Sequence, residues 1–216
     1  MSRRSFAFAP AGVFLLVAFV ALGLLARRQP TALDAAIASA LHGQWRSSLG
    51  AVAVVISDAF GPILPVLLAV ALVLAAIRRR LAGDRERATL LLRVLVVLVL
   101  CRATSFVFKP LFDRQRPREY PDLAYPSGHV VSVASACFAL ALLCGWLVPR
   151  LLRTAVALSL VATAVSAALR VYLGVHWFTD TVGAVLAVTG VGLLASAALG
   201  LLSAGRDPVS ARHETA

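Results

Sequence analysis

Charge is scarce in this chain: only 14% of its 216 residues are Asp, Glu, Lys or Arg, against about 25% in an ordinary soluble domain. With 60% hydrophobic residues and a mean hydropathy of +0.88, it has too little polar surface for a water-soluble fold. Acidic residues are the rarer sign, 10 against 21 basic ones, and Lys109 is the only lysine. A net charge of +11 would point to nucleic acid in a soluble protein. Here the arginines stand in short clusters between long apolar runs, the pattern that orients membrane helices, so no nucleic-acid partner is expected. Cysteine is also scarce. Cys101, Cys137 and Cys144 are odd in number, lie in apolar runs and form no Cys-x-x-Cys pair. That pattern argues against a disulfide framework and a zinc site, leaving small packing residues.

What is present is length of apolar run. Crossing a hydrocarbon core of roughly 30 Å takes about 20 mainly apolar residues, and six stretches qualify, at about 8–26, 52–77, 88–108, 130–148, 154–173 and 180–202. Backbone facing lipid must satisfy its own hydrogen bonds, and no alternation suggests a barrel, so these are helices. The first run is longer than a signal-peptide core and is followed by Arg27-Arg28, which reads as an uncleaved membrane helix. The expected fold is therefore all-α, a polytopic membrane protein with six transmembrane helices. One integral-membrane domain is expected over 1–216, with its core at about 8–202 and short tails. Between the first two spans, Thr31-Ala-Leu-Asp34 offers a helix start, and Leu33, Ile37 and Leu41 share a face beside Trp45. A short interfacial helix is expected there, covering the bundle without chemistry of its own.

Polar residues inside spans are costly and therefore informative. Asp58 and Arg102 lie at matched depths in the second and third spans with opposite sign, and are expected to pair. Arg93 is expected to snorkel to the interface. With the N-terminus inside, the inner segments hold Arg3, Arg4, Arg78, Arg79, Arg80, Arg85, Arg87, Arg150, Arg153, Arg206 and Arg212. The outer segments hold Arg27, Arg28, Arg46, Lys109, Arg114, Arg116, Arg118 and Arg170.

Three segments carry nearly all the polar residues that membrane insertion leaves unexplained: Lys109 to Pro117, Tyr125-Pro-Ser-Gly-His129, and Arg170 to Asp180. In a six-span topology they follow span three, open span four and link spans five and six, so all emerge on one face. Lys109, Arg116 and Arg170 suit phosphate oxygens, arginine as a bidentate fork and lysine as a point charge. Ser127 is placed to cap a helix whose N-terminus, with Gly128 permitting close approach, favours an anion. His129 and His176 stand among these cations. A neutral imidazole can attack phosphorus if a carboxylate holds its other N–H, and Asp180 is four residues from His176. The second imidazole could protonate the leaving oxygen. Residue chemistry alone does not say which histidine attacks. Asp113, Glu119 and Asp122 read as solvated loop carboxylates rather than Mg²⁺ ligands, since fixed cations already supply the neutralisation a metal would provide.

These segments resemble the signature of the type-2 phosphatidic acid phosphatase superfamily, the lipid phosphate phosphatases, whose soluble relatives include vanadium haloperoxidases. The pattern K-x6-R-P, P-S-G-H and S-R-x5-H-x3-D is matched in order except that Leu169 stands where serine usually precedes Arg170. The resemblance implies a metal-independent, cofactor-free membrane hydrolase acting on a phosphomonoester or diphosphate lipid: polyprenyl diphosphate, phosphatidic acid or phosphatidylglycerophosphate. It implies His176 as the nucleophile that becomes phosphohistidine, Asp180 as its orienting carboxylate and His129 as the proton donor. Lys109, Arg116, Ser127, Gly128 and Arg170 would hold the phosphoryl oxygens. A lipid phosphotransferase is the alternative enzyme, and an idle lipid-binding scaffold the non-enzymatic one. Setting the three phosphate ligands Lys109, Arg116 and Arg170 aside leaves the outer segments poorer in charge. That favours cytoplasmic termini and a site on the extracytoplasmic face of the cell membrane.

Overall fold

The computed structural model describes residues 3–203, with side chains over 8–202; Arg206 and Arg212 lie outside the described residues, as do the side chains of Arg3 and Arg4. Regular structure among the described residues is entirely helical: α1 (Arg3–Ala26), α2 (Ala32–Ala40), α3 (Ser48–Phe60), α4 (Ile63–Leu81), α5 (Arg85–Phe112), α6 (Gly128–Leu147), α7 (Leu152–Tyr172) and α8 (Phe178–Ala198). Among the described residues, six segments are long and apolar enough to cross a membrane, at 8–26, 48–81, 85–112, 128–147, 149–172 and 178–198. They match the six runs seen in the sequence to within a few residues at each end, and the chain is a multi-pass membrane protein.

Helices α5, α6 and α8 form the centre, where Val94, Val97, Leu98 and Cys101 meet Val130, Val131, Ala184 and Val188 in one buried cluster. Outer helix α1 lies close along α8. A β-carbon on Gly12 would stand 2.8 Å from Leu194, and one on Gly190 2.9 Å from Leu16, so the absence of side chains lets these two helices approach. Near the other end of α1, Phe19 stacks on Tyr125 with ring centroids 5.2 Å apart. The Tyr125 hydroxyl donates to the Phe19 carbonyl at 2.6 Å, fixing the loop that follows α5.

The second span departs from the sequence reading. It is two helices, α3 and α4, broken at Gly61-Pro62: Pro62 has no N–H to continue the ladder, and a β-carbon on Gly61 would collide with the His129 ring and approach the Ser57 carbonyl to 2.8 Å. The break carries Asp58 to His129 and Arg170 rather than to Arg102. The expected Asp58–Arg102 pair does not form; Arg102 donates to Ser105 Oγ at 2.6 Å and stacks on Phe106. Matched depth assumed a continuous helix, and the break removes that premise.

Helix α2 starts as expected, with Thr31 Oγ1 accepting from Asp34 N and Asp34 Oδ2 accepting from Thr31 N. Asp34, however, does more than cap. It is buried and accepts from Thr179 N at 2.9 Å, Thr179 Oγ1 at 2.7 Å and Arg114 Nη2 at 2.8 Å. Burial opposes its charge, but the bonds from Thr179, Arg114 and Thr31 outweigh that and hold the carboxyl below the usual range. Arg114, counted by sequence among outer loop cations, is 2% exposed and reaches Asp180 Oδ1 with Nη1 at 2.6 Å. One guanidinium thus fastens α2 and the α5–α6 loop to the start of α8. Removing one partner of such a pair leaves a buried carboxylate uncompensated, at about 3–5 kcal/mol. Arg114→Met is expected to lower the thermal unfolding temperature of the detergent-solubilised protein, and adding Asp34→Asn to recover part of the loss; an unchanged melting curve would count against this role.

Candidate active site

The three polar segments converge at one end of the bundle. A cavity of about 370 Å³ is lined by Lys109, Arg116, Gly128, His129, Arg170 and His176, together with Arg102, Ser105, Tyr120 and Asp122. Lys109 comes from the last turn of α5, Gly128 and His129 from the first of α6, and Arg170 from the last of α7. His176 sits in the turn before α8. Of the remaining expected residues, Asp180 stands behind His176, while Ser127 is fully buried beside the cavity. Ser127 occupies the N-cap position of α6, but its hydroxyl makes no capping bond and has no partner among the described residues. Its backbone N–H donates instead to the Asp180 carbonyl at 3.1 Å, joining the starts of α6 and α8.

Asp180 lies in the first turn of α8, where its Oδ2 accepts from Trp177 N at 2.8 Å and faces His176 Nδ1 at 3.3 Å. On the other side of the ring, Arg116 Nη1 stands 3.1 Å from His176 Nε2. A guanidinium can only donate, so Nε2 accepts and the proton is on Nδ1, donating to Asp180. The imidazole therefore presents an unprotonated Nε2 towards the cavity. Burial first, and then the charges of Arg116, Arg170 and Lys109, hold the His176 pKa well below 6.5, so the neutral ring persists at neutral pH. Arg116 is itself braced by Val175 O at 2.8 Å, Asp122 O at 2.5 Å and the Tyr120 ring at 4.1 Å.

Carboxylates lie beside Lys109, Arg116 and Arg170. Asp122 pairs with Lys109 and lies 3.3 Å from Arg116 Nη2. Burial works against its charge, but Lys109 and Arg116 prevail and hold it below the usual carboxylate range. Asp122 is thus the exposed loop carboxylate that was expected, but it also pairs with two cavity cations, which the sequence did not indicate. Asp58 Oδ1 accepts from His129 Nε2 at 3.2 Å and lies 3.8 Å from Arg170 Nη1. Arg170 also donates to Ser57 Oγ at 3.1 Å, while its Nε is buried with no partner among the described residues. A hydroxyl therefore does meet Arg170, from α3 rather than from position 169, where Leu169 packs against Ala53 and Leu173. Sequence reading missed Asp34, Arg114, Ser57 and Asp122 as parts of this assembly. The one available signal for the α3 pair was Gly61-Pro62, a helix break one turn beyond Ser57-Asp58.

An electrophilic phosphorus held by these cations would find a neutral imidazole nitrogen on one side and a second imidazole within the same cavity. A nucleophile of this kind should titrate low. In ¹⁵N-imidazole NMR of the detergent-solubilised protein, His176 is expected to protonate well below pH 6.5, and Arg116→Gln, by removing a neighbouring positive charge, to move that midpoint upward. A His176 midpoint at or above 6.5 would contradict the electrostatics described.

A model of the PAP2 superfamily matches residues 90–201, from within α5 to just past α8, and so spans all three motifs. No curated protein matches the chain. Among solved structures, a transmembrane PAP2-type phosphatidylglycerolphosphate phosphatase from Bacillus subtilis is similar in fold. It is 24% identical with a TM-score of 0.65, covering 88% of this chain and 94% of its own.

Proposed function

The chain belongs to the PAP2 superfamily, and from that membership and the cavity's geometry we propose that it is a membrane lipid phosphatase working through a phosphohistidine. The observation that carries the reading is the His176 ring, held between Asp180 at Nδ1 and Arg116 at Nε2. On this reading Lys109, Arg116 and Arg170 take the phosphoryl oxygens, with the Gly128 N–H and the α6 dipole beside them. The orphaned Arg170 Nε and Ser127 Oγ are donors for which a phosphate would supply the missing acceptor. His176 Nε2 forms a bond to phosphorus as the bond from phosphorus to the leaving oxygen breaks. The electron pair stays on that oxygen, which takes a proton from the imidazolium of His129, with Asp58 beside it. Water then attacks the phosphohistidine, gives its proton to His129 and releases inorganic phosphate, restoring both rings. The fixed cations perform the neutralisation of the phosphoryl charge, and no metal or cofactor enters these steps.

The lipid tail has a groove to lie in. Between α4 and α5 an apolar cleft of about 450 Å³, walled by Val66, Val70, Leu98 and Val99, shares Pro62, Arg102 and Phe106 with the cationic cavity. A larger apolar groove between α7 and α8, about 620 Å³, shares no lining residue with that cavity. The α4–α5 cleft is therefore the one that delivers a headgroup to His176.

The site is assigned to the extracytoplasmic face and the termini to the cytoplasm. Besides the three phosphate ligands, Arg114 also leaves the count of solvated charges at the site end, because Asp34 and Asp180 neutralise it. The opposite end keeps Arg78, Arg79, Arg80, Arg85, Arg87, Arg150 and Arg153, the richer side under the positive-inside rule.

The test is phosphate release in detergent, with chelator present, from polyprenyl diphosphate, phosphatidic acid and phosphatidylglycerophosphate. Wild-type protein is expected to release phosphate and His176→Ala to release none while remaining folded. Arg170→Ala should lose about 10²–10³ in rate, as for one donor to a developing oxyanion. Turnover by His176→Ala at a comparable rate would overturn the reading, and abolition by chelator with recovery on added Mg²⁺ would overturn its metal independence.

A further inference from the structure

Every cation at this end of the molecule that the proposed chemistry uses has a carboxylate nearby: Lys109 and Arg116 have Asp122, and Arg170 has Asp58. Arg102 lines the same cavity but forms no ion pair among the described residues; its partners are the Ser105 hydroxyl at 2.6 Å and the face of Phe106, 4.4 Å from the guanidinium carbon. An arginine within a membrane helix is costly, and one left without a counter-charge marks a place where an anion is to come. The position is specific. Arg102 lies on the α5 face that carries Lys109 two turns later, and its bond to Ser105 turns the guanidinium along the helix towards Lys109. Ser105 Oγ and Lys109 Nζ lie 4.0 and 3.9 Å from where a β-carbon on Gly128 would be, so the hydroxyl that holds Arg102 borders the phosphate pocket. On its other side Arg102 lines the apolar α4–α5 cleft. It therefore stands between the place of the transferred phosphate and the place of the tail.

We infer that Arg102 binds a second phosphate, the one retained on the lipid after cleavage, and so selects lipids whose leaving group is itself phosphorylated. The inference rests on the phosphatase reading above. In such a lipid the bond from the transferred phosphorus to the leaving oxygen breaks and its electron pair passes to a leaving group that stays in the cleft with its remaining phosphate against Arg102. A phosphomonoester such as phosphatidic acid places no anion there and leaves Arg102 unmatched. Two lipid chemistries meet the requirement: a prenyl diphosphate, whose phosphates share a bridging oxygen, and phosphatidylglycerophosphate, whose phosphates are separated by glycerol.

The experiment compares kcat and KM of the detergent-solubilised full chain on polyprenyl diphosphate, phosphatidylglycerophosphate, phosphatidic acid and polyprenyl monophosphate, for wild type, Arg102→Gln and Arg102→Lys. Wild type is expected to prefer at least one of the two-phosphate lipids over the two monophosphates, and which one identifies the spacing. Arg102→Gln should lower kcat/KM on that lipid about 10- to 100-fold, the worth of a bond to a charged group. Its loss on phosphatidic acid should be clearly smaller than on that lipid, and an unchanged melting curve checks that the variant folds. Arg102→Lys, keeping the charge, should restore much of the preference. A wild-type protein that hydrolyses phosphatidic acid but shows no advantage for either two-phosphate lipid overturns the inference and leaves the phosphatase reading intact. An Arg102→Gln variant that loses activity equally on all four lipids, or on none, does the same. Failure of wild type to release phosphate from any of them overturns both.

Discussion

The site depends on a guanidinium that never meets a substrate in this reading. Arg114 is buried between Asp34 and Asp180, and the three side chains come from α2's first turn, the α5–α6 loop and α8's first turn. Two carboxylates that close would repel if both were charged and unpartnered; the fork of one arginine, with five donors in fixed directions, supplies the common counter-charge. Once Asp180 Oδ1 is held by Arg114 and Oδ2 accepts from Trp177 N, the remaining direction of Oδ2 is towards His176 Nδ1. The tautomer of His176 therefore follows from a contact made behind it. A covering helix that looked like mere packing is what anchors that contact.

Exposure separates two kinds of carboxylate around the cavity. Asp34 and Asp180 are essentially sealed from solvent, whereas the side chains of Asp122 and Asp58 are 54% and 59% exposed. A sealed pair is hard to break, since its loss strands a charge in a low-dielectric medium. In the second kind only the carboxylate is exposed: water can solvate Asp122 or Asp58 on separation, whereas Lys109, Arg116 and Arg170 are largely buried and need another anion in its place. The first kind shapes the site and the second keeps its cations neutralised while the cavity is empty. On the proposed reading a phosphate, with more charge and more acceptor oxygens than one carboxylate, takes over from Asp122 and Asp58 at modest cost.

Much of this was legible in the sequence because membranes impose strong patterns. Six apolar runs of spanning length and three polar segments at corresponding ends lead directly to a shared site, and the helices fall where those runs lie. Side-chain partnerships were not legible in the same way. Asp34 already had a local explanation as the third residue of a capping box, and nothing local indicates that it also meets Arg114, 80 residues later. Arg114 sits amid Arg116 and Arg118 in a polar loop, where a solvated charge is the ordinary expectation. Asp58 was recognised as too costly to be idle, yet it was paired with the wrong cation. Depth along a helix predicts a neighbour only while the helix continues, and Gly61-Pro62 ends α3 one turn later.

At the site, arginine and lysine are used for different geometries. Arg114 engages two carboxylates and a hydroxyl, and Arg116 spans three carbonyls, a carboxylate and an imidazole while stacked on Tyr120. Each needs several donors diverging in a plane, which an ammonium cannot offer. Lys109 has a different task. It closes the last turn of α5, where its own carbonyl accepts from Asp113 N, and its amine lies beside the bare start of α6. There the donors are supplied by backbone N–H groups, and a compact positive charge at the end of a flexible stem can approach an anion without competing with them for direction. Each of these three cations is therefore matched to the direction in which its donors must point.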